Sequence, residues 1–261
     1  MRPGNTEIIR AHEILRRDPL KNVVLLKFLD MALGRSNLHQ VVDGDDVASL
    51  LLVDHRFSSF DQKAYSTARV SVVISSTRPE LTREVLVFAP RGEPLIFKLT
   101  DEADRLVVAE EFPLKRRTAY HSYTSSRFAV AAPGADVEFA LSDALSRMFM
   151  AQDHDPEWLG SMIGRNRAFI SVVKEDSQPL SACFAFHIDG AIWEIGGVYT
   201  IPTRRGEGLG SRAVRTALAE LARRRCVPRY HVAEENTASI RLAESLGMTR
   251  FLTLTHYLSE A

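Results

Sequence analysis

The sequence predicts a mixed α/β protein built from two successive halves, in which helices cover sheets of antiparallel and parallel strands. Strand-like and helix-like runs alternate through the first half. Three consecutive strand patterns, 168–173, 180–188 and 191–200, then form an antiparallel meander with a tight turn at Asp189 and Gly190. After the meander the pattern changes to helix, strand, helix and strand, which is typical of a mixed sheet.

Composition and charge exclude several classes of function. The 261 residues are 45% hydrophobic, and 33 basic side chains balance 33 acidic ones, so the formal net charge is zero. This balance gives no overall attraction to nucleic acid or to an anionic membrane. The apolar runs are far shorter than the ~20 residues that span a bilayer, and we expect a cytoplasmic protein. The two cysteines, Cys183 and Cys226, are too few for a disulfide scaffold, and we predict no metal site.

Each element of the first half follows from periodicity or from a start signal. Helices are predicted where apolar residues recur at helical spacing, and where Pro79 and Asp101 favour a helix start. Strands are predicted at β-branched or alternating apolar runs. In chain order these elements are helices 6–17 and 20–33, strands 38–42, 48–53 and 68–74, a helix from Pro79, a strand 95–99, a helix 102–111 and a strand 114–123.

The second half follows a segment, 131–135, in which Pro133 and Gly134 favour a linker or turn. We place the domain boundary between residues 125 and 126. Besides the meander, the predicted elements are helices 140–150 and 156–163, a helix from about 208 to 225, a strand 229–233, a helix 236–246 and a strand 250–257.

The most informative segment joins the third meander strand to the helix that starts near Gly208. Gly206, Gly208 and Gly210 alternate at the amino end of this amphipathic helix, where free backbone N–H groups and the helix dipole favour an anion. Because glycine has no side chain, an anion can approach the main chain. Arg204 and Arg205 add positive charge at the same place. The segment therefore predicts a pyrophosphate site.

Three ligands compete for this site, beside a plain glycine-rich turn that binds nothing. A nucleotide-triphosphate loop needs Lys followed by Ser or Thr after its last glycine, and neither is in register here. A dinucleotide fingerprint fits Gly208, Gly210 and Ala213, with Glu234 about twenty residues later. Against it, residues 201–207 separate the strand from the first glycine, and the remaining chain is too short for a doubly wound sheet. The third ligand is coenzyme A.

The spacing of Arg205, Gly208 and Gly210 resembles the pyrophosphate loop of the GNAT superfamily of N-acetyltransferases. The run from Glu194 to Thr200 resembles the fourth strand of that superfamily, and the run from Asn236 to Met248 resembles its second motif, a helix beside the coenzyme. The likeness therefore joins three motifs in the expected order.

This resemblance extends from residue 131 to the C-terminus and implies a GNAT acetyltransferase domain at residues 126–261. The layout, with the segment Asp18 to Asn22 near the N-terminus, is similar to the glycine N-acyltransferase-like branch, in which a degenerate half precedes a competent one. Residues 1–125 are then a degenerate α/β half of GNAT-like type.

The resemblance implies that acetyl-coenzyme A is the acyl donor and lies in a cleft between the fourth and fifth strands. Gly196 and Gly197 would permit the bulge that separates these strands. The implied contacts are main-chain groups for the pantetheine arm, N–H groups and a hydroxyl for the pyrophosphate, and two residues of the second motif. The residues are Val198, Tyr199 and Thr200; Arg204, Arg205, Gly206, Glu207, Gly208, Leu209, Gly210 and Ser211; and Asn236 and Ser239.

The resemblance also implies that a primary amine of a small molecule attacks the thioester directly in a ternary complex. Because ammonium is not a nucleophile, a base must remove its proton. We predict Glu194, a carboxylate in an apolar strand, as this base; the alternative is a salt-bridged glutamate. The superfamily often protonates the departing thiolate with a tyrosine of the second motif, where this chain has Ala243.

Two functions therefore stay open. The first is an acetyl-coenzyme A-dependent N-acetyltransferase with a small-molecule amine as acceptor. The second, motivated by Ala243, is a catalytically inactive acyl-coenzyme A-binding or sensor module. Neither involves nucleic acid or a membrane, and the sequence leaves a homodimer open.

Overall fold

The computed structural model describes residues 5–31, 37–126 and 130–260, and these residues form nine α-helices and eleven strands. The chain divides into two compact units. The first consists of Met1–His121 together with Leu252–Ala261, and the second consists of Ser122–Phe251.

The first unit begins with two helices. A sheet follows, and three further helices connect its successive strands. Its elements are α1 (Asn5–Leu15), α2 (Val23–Met31), β1 (Asn37–Asp43), β2 (Asp46–Asp54), α3 (Ser59–Ala64), β3 (Val70–Ser76), α4 (Pro79–Val85), β4 (Leu95–Leu99), α5 (Glu102–Glu111) and the first part of β5 (Lys115–Thr124). The strand order includes β1-β2-β3-β4-β11, where β11 is Thr249–Ser259. Only the β3–β4 pair in this run is parallel.

Local sequence explains where these helices begin. Pro79 occupies the first turn of α4, where its missing N–H costs nothing. Asp101 caps α5 by accepting a hydrogen bond from the N–H of Ala103 at 2.7 Å. Both helices bury their apolar faces against the sheet in a core that includes Phe97 and Val108.

The second unit contains the meander and the helix–strand pairs that follow it. Its elements are β6 (Ala135–Glu138), α6 (Asp143–Met150), α7 (Pro156–Gly164), β7 (Ala168–Glu175), β8 (Gln178–Asp189), β9 (Ile192–Thr200), α8 (Leu209–Arg223), β10 (Val227–Ala233) and α9 (Thr237–Ser245). The strand order is β10-β9-β8-β7-β6. The β9–β10 pair is parallel and the other pairs are antiparallel.

Helix α8 is amphipathic, and its buried face forms the main core of the second unit. Ala213, Val214, Ala217 and Leu221 are all inaccessible to solvent. They pack against strand residues that include Phe169. This helix therefore fixes the loop before it relative to the sheet.

The predicted fold class is confirmed: each half is an α/β unit, and the predicted meander and the strands and helices after it are present. Residues 135–138 form the edge strand β6, which the sequence does not predict: Ala135 falls in the predicted turn 131–135, and residues 136–138 fall in no predicted element. The polar stretch 54–67, which has no apolar periodicity, contains the short helix α3. This helix begins where Oγ of Ser58 accepts a hydrogen bond from the N–H of Asp61. Residues 32 and 33, predicted to end the second helix, lie outside the described residues.

The C-terminal residues also differ from the predicted domain organisation. We expected them in the second domain, but Leu252–Ala261 groups with the first unit. The reason is that β11 pairs antiparallel with β4 from Thr255 opposite Leu99 to Ser259 opposite Leu95. Within the described residues, no helix is long and apolar enough to cross a membrane.

Candidate functional site

Strands β9 and β10 are paired over only part of their lengths. The ladder runs from Ile192 opposite Val227 to Ile195 opposite Tyr230. Strand β9 nevertheless continues to Thr200, and β10 continues to Ala233. Within the described residues the ladder ends at Ile195, so the last part of β9 presents main-chain groups that β10 does not use.

The β8–β9 ladder contains a bulge beside this separation. Its register shifts between Ala182, paired with Tyr199, and Phe184, paired with Gly196, so two residues of β9 lie opposite one of β8. In the bulge Gly197 has a φ of +61°, and a Cβ there would lie 2.3 Å from Cε1 of Phe184. Only glycine satisfies both the left-handed backbone and this close approach.

The loop before α8 leaves its backbone accessible. Gly206 and Gly208 have φ values of +85° and +74°, and a Cβ on either would meet no heavy atom within 4 Å. Gly208 is the N-cap, and its carbonyl accepts from the N–H of Arg212 at 3.1 Å. The N–H groups of residues 209–211 precede this first helical bond, and they therefore point out of the positive end of the helix.

The amino end of α8 lies against the end of β9. A Cβ on Gly210 would be 3.4 Å from Oγ1 of Thr200 and 3.8 Å from Cγ1 of Val198. Ser181 fixes the strand end, because its Oγ donates to the carbonyl of Tyr199 at 2.9 Å and lies 2.8 Å from Oγ1 of Thr200. The glycine loop and the unpaired part of β9 are thus neighbours.

The two arginines of the loop differ in their partners. Nε of Arg204 donates to both oxygens of Glu207 at 2.8 and 2.9 Å, and its Nη1 donates to Glu175 at 2.7 Å. Arg205 is exposed, and its Nε donates to the carbonyl of Thr200 at 3.3 Å. Because two carboxylates offset the charge of Arg204, Arg205 is the better placed of the two to meet an anion.

Other predicted contact residues have structural partners. Oδ1 of Asn236 accepts from the N–H of Ser239 at 3.1 Å and caps α9. Ser239 is hydrogen-bonded to the hydroxyl of Tyr230, whose pKa burial raises to about 12. Leu209 is buried in the core and can offer a ligand only its main chain. Ala243 is also buried in that core, where it lines no accessible surface.

Glu194 lies one residue before the last paired position of β9, where Arg229 of β10 is its ladder partner. Nη1 of Arg229 donates to Oε2 of Glu194, and both residues are buried. Arg229 also donates to Oγ of Ser122 and lies 3.0 Å from Nδ1 of His231. Burial lowers the pKa of Arg229, while the charge of Glu194 opposes this shift. The structure therefore gives Glu194 the salt-bridged state that was the alternative to a free base.

Two sets of residues at this site are not among the sequence predictions. Arg229 is one, and its signal is a charged residue within an otherwise apolar strand. The other is an aromatic cluster on the face of the sheet that carries Glu194, because Phe186 is the ladder partner of Glu194 and paired residues point to the same face. Around Phe186 the cluster comprises Trp158 at 5.2 Å, Phe184 at 6.0 Å and, beside Phe184, Phe149 and His154.

The described residues contain no group of three or more His, Cys, Asp or Glu that could hold a metal ion. Cys183 is buried in the core under α8, and burial raises its pKa to about 12. Its thiol is therefore a core side chain and not a nucleophile.

Comparison with protein families gives a match for much of the second unit. Residues 138–248 match the acetyltransferase (GNAT) family. This range contains the meander, the bulge, the glycine loop and α9. A search of curated proteins found no match.

Comparison with solved structures shows the same fold over nearly the whole chain. A GCN5-related N-acetyltransferase from Kribbella flavida has 17% identity and a TM-score of 0.56, covering 91% of this chain and 95% of that one. A GNAT-family acetyltransferase from Colwellia psychrerythraea has 12% identity and a TM-score of 0.59, covering 93% and 97%. A tandem GNAT protein from the clavulanic acid biosynthesis pathway has 14% identity and a TM-score of 0.54, covering 92% and 87%. At these identities the likeness is one of fold.

Proposed function

We propose, from the match of residues 138–248 to the acetyltransferase (GNAT) family, that this protein is an N-acetyltransferase. It would transfer the acetyl group of acetyl-coenzyme A to a primary amine of a small molecule within a ternary complex. The observation that carries the proposal is the adjacency of the unpaired end of β9 and the open amino end of α8, which meet at Gly210.

The residues present fit the two parts of the coenzyme that this arrangement would hold. The main chain of Val198, Tyr199 and Thr200 would bind the pantetheine arm as an added strand. The loop Gly206–Ser211 would bind the pyrophosphate through N–H groups, with Ser211 adding a hydroxyl. The glycines leave the space before this loop open, and Arg205 supplies positive charge.

When bound, the coenzyme supplies a thioester whose carbonyl carbon is the electrophile. The bulge N–H groups near Val198 would polarise the carbonyl oxygen. We propose that Glu194 assists removal of the ammonium proton. Because its Oε2 is bound to the buried Arg229, Glu194 would act through a negative charge held in a fixed place.

The class of acceptor and the cellular location that we propose are inferred from the sequence. The acceptor is a small molecule and not a nucleic acid or a membrane, since the net charge is zero. No metal takes part, and we propose a cytoplasmic protein. A homodimer is compatible with this proposal, which does not require one.

Binding of the coenzyme is tested by Gly208→Leu with Gly92→Leu as a matched control. Both glycines have a φ of +74° and open space where a Cβ would be, so the backbone strain is alike. We expect Gly208→Leu to abolish acetyl-coenzyme A binding in calorimetry, because the side chain would fill the anion site, and Gly92→Leu to retain it. Equal binding by both variants would show that the loop is not the coenzyme site.

Turnover separates the enzyme from the second candidate, an inactive acyl-coenzyme A-binding or sensor module. That candidate is favoured by Ala243, which stands in the position of a tyrosine and has no hydroxyl to protonate a thiolate. The measurement is thiol release from acetyl-coenzyme A across a panel of primary amines. Amine-dependent release supports the enzyme, whereas tight binding without release from any amine supports the module.

A further inference from the structure

His154 packs against Phe184, the aromatic ring that also lies against the bulge of β9. The ring centroids of His154 and Phe184 are 5.0 Å apart, with their planes at 86°. The same Phe184 ring lies against Gly197, where a Cβ would come within 2.3 Å of it. Gln152 reaches the same point, since its Nε2 donates to the carbonyl of Gly197 at 3.4 Å. The imidazole and the bulge therefore contact the same aromatic ring, and the segment that carries His154 is hydrogen-bonded to the bulge.

The backbone that presents His154 is held in an uncommon conformation. Asp153 has a φ of +59°, in the left-handed region that few residues other than glycine adopt. The N–H groups of Gln152 and His154 both donate to the carbonyl of Phe149, at 3.0 and 3.1 Å. These bonds tie the connection back onto α6. Residues held in sparsely populated backbone conformations cluster at active sites and ligand clamps.

The imidazole of His154 is available to accept a proton. No described residue hydrogen-bonds either ring nitrogen, and the ring is half-buried. Burial lowers the pKa of His154 below 6.5, while the charges of Asp153 and Glu194 act in the opposite direction. The ring packed against it is the uncharged Phe184 of β8, which Phe149 of α6 and Trp158 of α7 contact in turn. At neutral pH the ring is therefore uncharged and basic.

The other titratable groups on this face are held by partners. Oε2 of Glu194 accepts from Arg229. Nδ1 of His231 lies 3.0 Å both from Nη2 of Arg229 and from Oγ of Ser122. A proton acceptor must be within reach of the amine and must not already be committed to a cation.

We infer that His154 accepts the proton of the amine substrate, and that Glu194 is a positioning residue whose negative charge stabilises the imidazolium formed there. The inference rests on the acyl transfer proposed above. The ammonium gives one proton to the imidazole, and the neutral nitrogen attacks the thioester carbon. The new C–N bond forms as the C–S bond breaks, and the second N–H proton goes to the departing thiolate. His154 then returns its proton to solvent.

The first test is His154→Gln, with His187→Gln as the control. His187 lies on β8 and is bound to Arg167 and to the carbonyl of Gly190, and it has no place in the proposed site. We expect His154→Gln to lower kcat about 100-fold, the usual contribution of a positioned base, with unchanged affinity for acetyl-coenzyme A. His187→Gln should keep the wild-type kcat.

The pH profile distinguishes His154 from Glu194 as the acceptor. Because the neutral imidazole is the active form, kcat/KM of the wild type should fall toward acid with a midpoint below 6.5. His154→Gln should remove this acid limb. Glu194→Gln should keep it and move it to lower pH, since the charge that raises the pKa of His154 is gone.

The opposite pattern, in which the limb survives His154→Gln and disappears in Glu194→Gln, assigns the proton to Glu194 and overturns the inference. Full kcat in a folded His154→Gln variant also overturns it while leaving the acyl transfer intact. Absence of thiol release in the wild type with every amine rejects the acyl transfer itself, and the inference with it. Circular dichroism of each variant confirms that the fold is retained.

Discussion

Strand β3 of the first unit and β9 of the second each pair in parallel with the next strand along the chain, but they end differently. Strand β3 pairs in parallel with β4 from Val70 opposite Leu95 to Val73 opposite Lys98, much as β9 pairs with β10. The β2–β3 ladder, however, runs over its whole length without a register shift, whereas the β8–β9 ladder has the bulge at Gly197. The first unit thus has the layout of the second without its distortion.

The free end of β3 is occupied by the unit's own side chains. Nζ of Lys21 donates to the carbonyl of Ser76 at 2.7 Å, and Oγ of Ser75 donates to Oδ1 of Asn22 at 2.8 Å. The following helix starts with Pro79 and not with a glycine loop. The comparison teaches that the order of elements does not by itself produce a bulge, a glycine loop and an unused strand end. The proposed coenzyme site depends on all three features of the second unit.

Each unit also has a buried ion pair beside its parallel strands. The carboxylate of the pair belongs to a helix in the first unit and to a strand in the second. In the first unit Lys98 of β4 binds Asp61 of the inserted helix α3 at 2.7 and 2.9 Å. In the second unit Arg229 of β10 binds Glu194 of β9 itself. The first pair is completely buried, with Asp61 inaccessible to solvent. The acid of the second pair lies instead on the strand that carries the bulge.

The largest expected effect comes from breaking these pairs. We predict that Arg229→Met and Lys98→Met each lower the free energy of unfolding by about 3–5 kcal/mol, because each leaves a buried carboxylate without its cation. The measurement is urea-induced unfolding monitored by circular dichroism. Adding Glu194→Gln to Arg229→Met should restore much of the loss. If either single variant loses less than about 1 kcal/mol, its carboxylate is not buried as described.

The second prediction concerns the bulge and uses a glycine of the first unit as its control. Gly44 has a φ of +60°, nearly that of Gly197, but open space where a Cβ would be. Gly44→Ala should therefore cost only the backbone strain, about 1 kcal/mol. Gly197→Ala should cost a further ~1–3 kcal/mol, since its Cβ would overlap the Phe184 ring.

The Gly197 variant should also bind acetyl-coenzyme A more weakly, since the bulge must shift to relieve the overlap. Unfolding and calorimetry on both variants measure the two effects. Replacing Phe184 with leucine in the Gly197→Ala background should recover part of both. Equal losses of stability in Gly44→Ala and Gly197→Ala would show that the ring yields easily and that the bulge does not depend on the glycine.

Features that depend on neighbouring residues could be predicted from the sequence. The loop from Gly206 to Gly210 was predictable because the glycine spacing, the preceding strand and the amphipathic helix are all local signals. The meander follows in the same way, whereas the bulge at Gly196 and Gly197 is implied by the resemblance to the GNAT superfamily. Strand β6 could not be predicted, because a four-residue edge strand beside Pro133 gives no periodic signal.

Features that depend on distant contacts could not be predicted. Arg229 meets Glu194 only through the register of two parallel strands, which the sequence does not specify. Arg204 is offset by Glu175, whose position depends on the β7–β8 turn. His154 contacts Phe184 only through the tertiary packing of the α6–α7 connection against β8. Aspartate adopts the left-handed conformation more often than most residues, but the sequence does not show that Asp153 does so. The C-terminal residues join the first unit through pairing with β4 for the same kind of reason.

The smallest expected effect distinguishes the arginines that precede the two corresponding helices. Arg78, before α4, is paired with Asp43 and Asp46, just as Arg204 is paired with Glu175 and Glu207. Arg205 differs from both, because its guanidinium donates to the carbonyl of Thr200 and is paired with no carboxylate among the described residues.

Accordingly, Arg205→Ala should weaken acetyl-coenzyme A binding about fivefold, or ~1 kcal/mol, because it removes an unscreened charge from a phosphate site. Arg204→Ala should change the dissociation constant less than about twofold, because two carboxylates already offset that charge and an exposed ion pair contributes little. Arg78→Ala should leave binding unchanged. Calorimetry at low and at high salt measures all three, and the effect of Arg205→Ala should shrink as salt screens the phosphate. If Arg204→Ala weakens binding as much as Arg205→Ala, then Arg204 must leave its carboxylates when the coenzyme binds. Arg204 would then bind the coenzyme directly, unlike Arg78.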